Sequence, residues 1–189
     1  MKLAFRNILS LSIAIAMLLP IQNSAVIAIQ GNEQDETTLK ALFIYNFTKH
    51  IEWPDPKSSA DKFSIVVYGQ SDITEKLTAL LKNRKIQDKA IEIIESTNKE
   101  VLAKASIIFI PQGKIGKAIE LENSIEKRGI LYISEEIKMP IKGSCINLTI
   151  KNNKMKFELN EILLKKEGLK VSNQLIELSI ASNTTYETR

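Results

Sequence analysis

Residues 106–111 read SIIFIP, a nearly continuous apolar run that a proline closes. A strand buried on both faces has this pattern, because helices cover both sides of a parallel sheet and leave no polar face. Similar strand-like runs lie at residues 63–68, 90–94 and 129–133, and segments with helical spacing separate them. This alternation predicts an α/β fold with a central, mainly parallel sheet flanked by helices.

The helices are predicted from the spacing of their apolar residues. The first begins near Thr38 and should end at Pro54, because a proline and the residue before it leave helical geometry. The next covers residues 73–81 and can be capped by Ser71 or Asp72. Two more are predicted over residues 99–104 and 112–127.

The pattern changes in the last third of the chain. Residues 144–150 and 154–158 alternate apolar with polar, and the polar Lys151-Asn152-Asn153 joins them. The pair predicts a C-terminal β-hairpin, which gives a mixed sheet of about six strands with an antiparallel edge. Two helices finish the chain: residues 160–166, closed by Gly168, and residues 173–181, opened by Ser172.

The first 28 residues have the pattern of a secretory signal peptide. Two basic residues precede a largely apolar run over residues 8–19, and Pro20 and small residues at Ala25 and Ala28 follow it. That run is shorter than the roughly 20 apolar residues that span a bilayer. We expect export with cleavage near Ala28. The expected organisation is a signal peptide (1–28), a flexible lead (29–37), a single domain (38–182) and a tail (183–189).

Composition and charge exclude several classes of protein. The chain is 44% hydrophobic and 25% charged, as globular proteins are, so collagen-like, coiled-coil and disordered chains are excluded. Of the 26 basic residues, Lys2 and Arg6 lie in the leader, which leaves 24 against 22 acidic residues. Glutamates are interleaved with the lysines, so no nucleic-acid partner is expected. The single Cys excludes a disulfide framework and CxxC-type metal sites.

No set of residues in the sequence has the pattern of a catalytic site. The segment PQGKIGK at residues 111–117 lacks the ending of a phosphate-binding loop, and only Gly69 follows the first predicted strand. His50 is the only histidine, so a histidine cluster that binds a metal is excluded and a catalytic triad could be centred only on this residue. Cys145 is expected to be a small buried hydrophobe, or else to pair with another chain. We predict a protein that is not an enzyme and needs no cofactor or metal.

The aromatic residues of the first helix are more informative. Phe43 and Phe47 fall on its apolar stripe, whereas Tyr45 and Trp53 fall off it. Tyr and Trp are residue types that anchor protein partners. Two roles stay open for Trp53: packing against the sheet beside Pro54, or contact with a partner.

The chain resembles the YfiR family of periplasmic proteins along nearly all of its mature length. Residues 40–54, KALFIYNFTKHIEWP, resemble the family's N-terminal signature, and FELN at 157–160 followed by GLKVS at 168–172 resembles its C-terminal segment. Between them the same landmarks recur in the same order, at residues 63–69, 107–110, 129–131 and 143–148.

The resemblance implies a regulator with an α/β fold. Members of the family bind the periplasmic sensor region of an inner-membrane diguanylate cyclase and repress it, which lowers cyclic di-GMP and biofilm formation. They are described as homodimers, and an outer-membrane lipoprotein can sequester them. Well-studied members have paired cysteines, whereas Cys145 has no mate in this chain. For partner contact we single out Tyr45, Trp53 and the hairpin residues Phe157 and Glu158; no insertion into the membrane is expected.

A rival hypothesis is a periplasmic small-molecule-binding or sensor-accessory module that acts on another membrane receptor or histidine kinase. Open α/β sheets usually bind ligands in the crevice at the carboxyl ends of the parallel strands. Such a module would be stabilised by its ligand with no membrane partner present.

Overall fold

The computed structural model describes residues 33–54, 61–125, 128–135 and 143–180. The expected signal peptide, most of the loop predicted after Pro54 and the expected tail lie outside the described residues. Within the part that is described, no helix is long and apolar enough to cross a membrane.

Six helices and nine strands make up the described residues. In chain order they are α1 (Glu33–Phe47), β1 (Ile51–Glu52), β2 (Lys62–Tyr68), α2 (Ile73–Leu81), β3 (Lys85–Ile86), β4 (Lys89–Ser96), α3 (Lys99–Leu102), β5 (Ile107–Ile110), α4 (Ile115–Ser124), β6 (Leu131–Glu135), β7 (Ile146–Lys151), β8 (Lys154–Leu159), α5 (Glu161–Lys166), β9 (Lys170–Val171) and α6 (Asn173–Leu178).

Seven strands form one mixed sheet in the order β3-β4-β2-β5-β6-β7-β8. The five central strands are parallel, and an antiparallel hairpin closes each edge, β3–β4 on one side and β7–β8 on the other. The predicted fold class is confirmed, with a second antiparallel edge that the sequence analysis did not include. The chain reverses direction across the sheet between β2 and β5, as in doubly wound folds.

The central strands are buried on both faces, as their composition predicts. Every residue of β5 and the first four of β6 are buried. Ile107 lies opposite Leu131 and Ile65, so branched side chains from three neighbouring strands pack on one face. Such strands leave no polar face to solvent, which is why the sheet needs helices on both sides.

The first helix differs from the prediction at both ends. It begins at Glu33, so residues 33–37 of the expected flexible lead are helical, and it ends at Phe47 rather than at Pro54. Thr48, Lys49 and His50 then form a tight turn in which each amide donates to the carbonyl three residues earlier. Helix C-termini often tighten in this way. The next two residues leave the helix because they pair with β9, a tertiary contact that local periodicity cannot show.

The two edge hairpins have the same turn geometry. Gln87 and Asp88 join β3 to β4, and Asn152 and Asn153 join β7 to β8, all four with φ between 51° and 61°. Two central residues with positive φ match the twist of antiparallel strands. Asparagine is favoured in turns of this type, so Asn152 and Asn153 indicate the turn in the sequence, whereas Gln87 does not.

The remaining differences concern lengths. Helix α4 begins at Ile115 and ends at Ser124, inside the predicted 112–127, because Gly113 takes a φ of 78° outside helical geometry. Helix α5 begins at Glu161, one residue after its predicted start, and α6 begins at Asn173 as predicted but ends at Leu178 rather than at residue 181. Asn160 and Ser172 cap the two helices through their side chains.

Helix α1 packs on the sheet face that also carries Phe63 and Phe157. The rings of Phe43, Phe47 and Phe157 lie within 5.1 to 6.1 Å of one another. In the middle of the helix, Lys40 pairs with Glu36 and with Glu135 at the end of β6, at 2.7 and 2.6 Å. Burial alone would lower the pKa of Lys40, but the hydrogen bonds with Glu135 and Glu36 outweigh it and raise that pKa.

Candidate partner-binding surface

A two-stranded ribbon joins the segment after α1 to the C-terminal part of the chain. Strands β1 and β9 pair antiparallel, with Ile51 opposite Val171. The amide of Ser172 donates to the carbonyl of His50 at 2.9 Å, and His50 Nδ1 lies 3.2 Å from Ser172 Oγ. The two stretches that carry the family resemblance at the ends of the domain, residues 40–54 and 168–172, therefore meet in space.

Trp53 anchors this ribbon to the central sheet. Its indole Nε1 donates to the carbonyl of Ser106 at 3.1 Å, and its ring meets that of Phe63 edge to face at 4.9 Å. Only 7% of the residue is exposed. These contacts place Trp53 in the core, the first of the two roles considered for it.

An apolar groove of about 320 Å³ lies beside the ribbon, between α5, β9 and α6. We call it the C-terminal groove; its apolar lining is Ile162, Leu164, Leu169, Val171 and Ile176. Leu164 and Leu169 are buried and form its floor, whereas Ile162 is 61% exposed. Ile176, on the neighbouring helix, is 36% exposed, so apolar side chains reach solvent on two sides of this floor.

The local sequence fixes the helices that border the groove. Asn160 Oδ1 accepts the amide of Leu163 at 3.0 Å, and Ser172 Oγ accepts the amide of Leu175 at 3.3 Å. Gly168 takes a φ of 73°, which lets the chain turn sharply from α5 into β9. Lys165 and Glu161 add charge at the rim of the apolar lining.

The sequence analysis did not identify the C-terminal groove, although a signal exists. Ile162, Leu163 and Leu164 are consecutive in one helix, and three consecutive positions cannot all face the core at 100° per residue. Leu163 and Leu164 are buried, and Ile162 faces outward.

Tyr45 is half-buried, and two cations lie close to its ring. Lys49 Nζ is 4.5 Å from the ring centroid, and the guanidinium carbon of Arg84 is 4.8 Å from it. Tyr45 thus links α1 to the residues that follow α2, and part of it reaches the surface.

The two hairpin residues singled out from the sequence have different environments. Phe157 is buried in the ring cluster under α1, whereas Glu158 is half-buried and accepts a hydrogen bond from Asn147 Nδ2 at 3.0 Å. The outer edge of β8 is covered here, because the amide of Ile180 donates to the carbonyl of Phe157 at 2.9 Å. A partner strand cannot add to the sheet at this point.

Glu158 belongs to a buried polar network that the sequence analysis missed. Asn147 Oδ1 accepts from Ser134 Oγ at 3.1 Å, and Ser134 Oγ lies 2.8 Å from Ser144 Oγ. A two-residue turn at Asn152 and Asn153 fixes the hairpin register, so the pairing of Asn147 with Glu158 could have been derived from the sequence. Cys145, next to this network, is buried, as expected of a small hydrophobe.

Two charged side chains of the chain itself make hydrogen bonds near the carboxyl ends of β2 and β4. Lys114 Nζ donates to the carbonyl of Tyr68 at 3.2 Å. Glu95 accepts from Thr74 Oγ1 at 2.6 Å and from the amide of Ser71 at 3.1 Å, at the start of α2. These hydrogen bonds, with the positive charge of Lys114 nearby, lower the pKa of Glu95. A carboxylate therefore occupies the position where a bound anion would sit.

The described residues thus form a doubly wound α/β fold with an apolar groove at its surface, and they contain no cluster of three or more His, Cys, Asp or Glu that could hold a metal. The YfiR/HmsC-like family model matches residues 37–180, and the chain belongs to this family. In general its members are periplasmic regulators of diguanylate cyclases rather than enzymes, and this is the class of the protein. Among curated proteins, none matches the chain.

Proposed function

We propose that the protein is exported and represses an inner-membrane diguanylate cyclase by binding its periplasmic sensor region, which lowers cyclic di-GMP. Family membership supports the class of partner. The observation that carries the proposal further is the C-terminal groove, where Ile162 is 61% exposed above a buried apolar floor.

The groove has apolar side chains exposed at its border, and a protein partner could cover them. Burying one aliphatic side chain stabilises a complex by roughly 1.5 to 3 kcal/mol. Ile162 and Ile176 border the groove on two different helices, so an apolar side chain of the sensor region could be enclosed from both sides. Charged side chains at the rim, such as Lys165, would then determine its orientation.

Repression on this basis is a coupling free energy between two arrangements of the cyclase. The protein binds the inactive arrangement more tightly than the active one and shifts the equilibrium toward it. A tenfold shift needs about 1.4 kcal/mol of differential affinity. One apolar contact present only in the inactive arrangement is therefore sufficient.

The four residues singled out from the sequence enter the proposal in two ways. We assign Trp53 and Phe157 an indirect part, because both are buried and hold the ribbon and the hairpin in place beneath the surface. Tyr45 and Glu158 are half-buried and remain candidates for direct contact. A homodimer and sequestration by an outer-membrane lipoprotein are further parts of the proposal, since both follow from the resemblance.

The test replaces Ile162 by Asp and measures cyclic di-GMP in cells that carry the cyclase. We expect derepression, together with at least tenfold weaker binding of the purified periplasmic sensor region in calorimetry, because a charge would have to be buried in the groove. Ile150→Asp is the matched control: Ile150 is an isoleucine that is 39% exposed, at the far end of β7. Equal effects of the two variants, or full repression by Ile162→Asp, would contradict the proposal.

The rival hypothesis of a ligand in the strand-end crevice has less support. Lys114 and Glu95 near that crevice already make hydrogen bonds inside the chain. A rise in melting temperature on adding a periplasmic metabolite, lost in Lys114→Met, would favour it. The nearest gene for a membrane receptor would then indicate the partner.

A further inference from the structure

A second cleft, of about 460 Å³, lies at the other end of the sheet, between the end of α2 and the β3–β4 hairpin. Its floor is apolar and consists of Leu81, Ile91 and Ile93. Its rim is cationic, with Lys82, Arg84 and Lys85. The volume is within the range of roughly 300 to 1,000 Å³ that small-molecule sites occupy.

The charges at this rim are all of one sign. The lining contains no Asp or Glu, and none of the three cations forms an ion pair within the described residues. An anion bound here would meet three positive charges with no competing carboxylate in the lining, which is charge complementarity of the kind that selects ligands.

Arg84 is held in a fixed position before any ligand arrives. Its Nε donates to the carbonyl of Leu80 at 3.0 Å, and its guanidinium lies over the ring of Tyr45, with Lys49 also near that ring. A guanidinium fixed in this way loses little side-chain entropy on binding an anion. Tyr45 is thereby a positioning residue for Arg84.

The apolar floor of the cleft favours a ligand that also has an apolar part. Ile91 and Ile93 are half-buried on β4, opposite Phe63 and Ile65 of β2. The helix dipole is another explanation for cations here, because positive charges stabilise the C-terminal end of a helix. The hydrogen bond from Arg84 to the carbonyl of Leu80 in the last turn of α2 fits that explanation. Lys85 lies beyond the helix in β3, and the dipole does not account for the apolar floor beneath the three charges.

We propose that this cleft binds an amphipathic anion, with a carboxylate at the cationic rim and an aliphatic body on the isoleucine floor. The proposal does not depend on the proposed function, because the cleft shares no lining residue with the C-terminal groove. Charge complementarity at the rim selects the carboxylate, and the floor selects the aliphatic body.

The experiment titrates the purified protein with decanoate, kept below its micelle concentration, and follows the backbone amides by NMR. We expect saturable shifts concentrated at residues 81–93, and affinity at least tenfold higher than for 1-decanol, which lacks the charge, or acetate, which lacks the body. Equal affinity for decanoate and decanol, shifts elsewhere in the chain, or no saturation would overturn the proposal.

Two double variants locate the charge requirement. Lys82→Gln with Lys85→Gln should weaken decanoate binding about tenfold, because charge-assisted contacts are lost. Lys154→Gln with Lys156→Gln is the matched control on the opposite edge hairpin and should change nothing. Arg84→Gln with an unchanged melt should lose affinity as well.

Binding to phosphatidylglycerol vesicles without binding to monomeric decanoate would also overturn the proposal, since it would indicate a membrane surface rather than a cleft.

Discussion

The aromatic residues beneath the β1–β9 ribbon and the aliphatic residues of the C-terminal groove are neighbours with opposite exposure. Trp53 has its only polar group bonded to Ser106 and its ring packed on Phe63. Ile162, in contrast, is 61% exposed. Tryptophan, which is common at protein interfaces, is thus buried beneath the surface here, whereas the aliphatic Ile162 is exposed on it.

Residue type alone therefore does not predict which side chains a fold exposes. Trp is enriched at interfaces, but it also fills more core volume than any other side chain. Here the ribbon needs a large anchor, because two strands of two residues each supply few hydrogen bonds of their own. Variants of these residues can separate an effect on stability from an effect on partner binding.

The largest expected effect is that of Trp53→Ala. We expect a loss of about 3 to 5 kcal/mol in the free energy of unfolding, because a large core side chain is removed. Chemical denaturation monitored by circular dichroism measures it. Trp53→Phe, which keeps the ring contact and loses the bond to Ser106, should cost only about 1 to 2 kcal/mol. A stable Trp53→Ala protein that no longer represses would instead make Trp53 a direct contact.

An intermediate effect is expected for Tyr45→Leu. Leucine keeps much of the apolar contact but removes the ring beneath Lys49 and Arg84, and each such cation–π contact contributes about 0.5 to 1 kcal/mol at exposed sites. We expect a loss of about 1 kcal/mol in a denaturant titration. Tyr45→Phe, which retains the ring, serves as the control and should be close to the parent protein. A loss as large as that of Trp53→Ala would show that Tyr45 is a core residue.

The smallest effect on stability is expected for Ile162→Ser. An exposed substitution that breaks no cap or network changes the free energy of unfolding by about 0.5 kcal/mol or less. The melting curve should therefore overlay that of the parent protein while binding of the sensor region weakens. Ile150→Ser is again the matched control. A clear loss of stability would mean that Ile162 packs against part of the chain outside the described residues.

The sequence was sufficient for the long elements and insufficient for the short ones. Strand β2 and helix α2 have enough residues for their pattern to show, β5 stands out as a continuous apolar run, and the positions of all three are confirmed. Strands β1, β3 and β9 have two residues each, so no period exists to detect. Their pairing depends on tertiary contacts, and the early end of α1 follows from the same contacts.

For the candidate site, the sequence predicted segments that the structure brings together, and two of the four residues singled out are buried. Residues 40–54 and 168–172 do form the ribbon beside the groove, but Trp53 and Phe157 within and near them are buried. Exposure depends on which elements pack above a residue, and the local sequence does not show that packing. The run Ile162-Leu163-Leu164 carried the missing information, since one member had to face outward.

The contact between His50 and Ser172 spans 122 positions of the chain. Closing so long a loop is entropically costly, and contacts of this sequence separation slow folding. Val171 lines the groove and pairs with Ile51 across this junction, so that wall of the groove is complete only once the two ends of the domain have met.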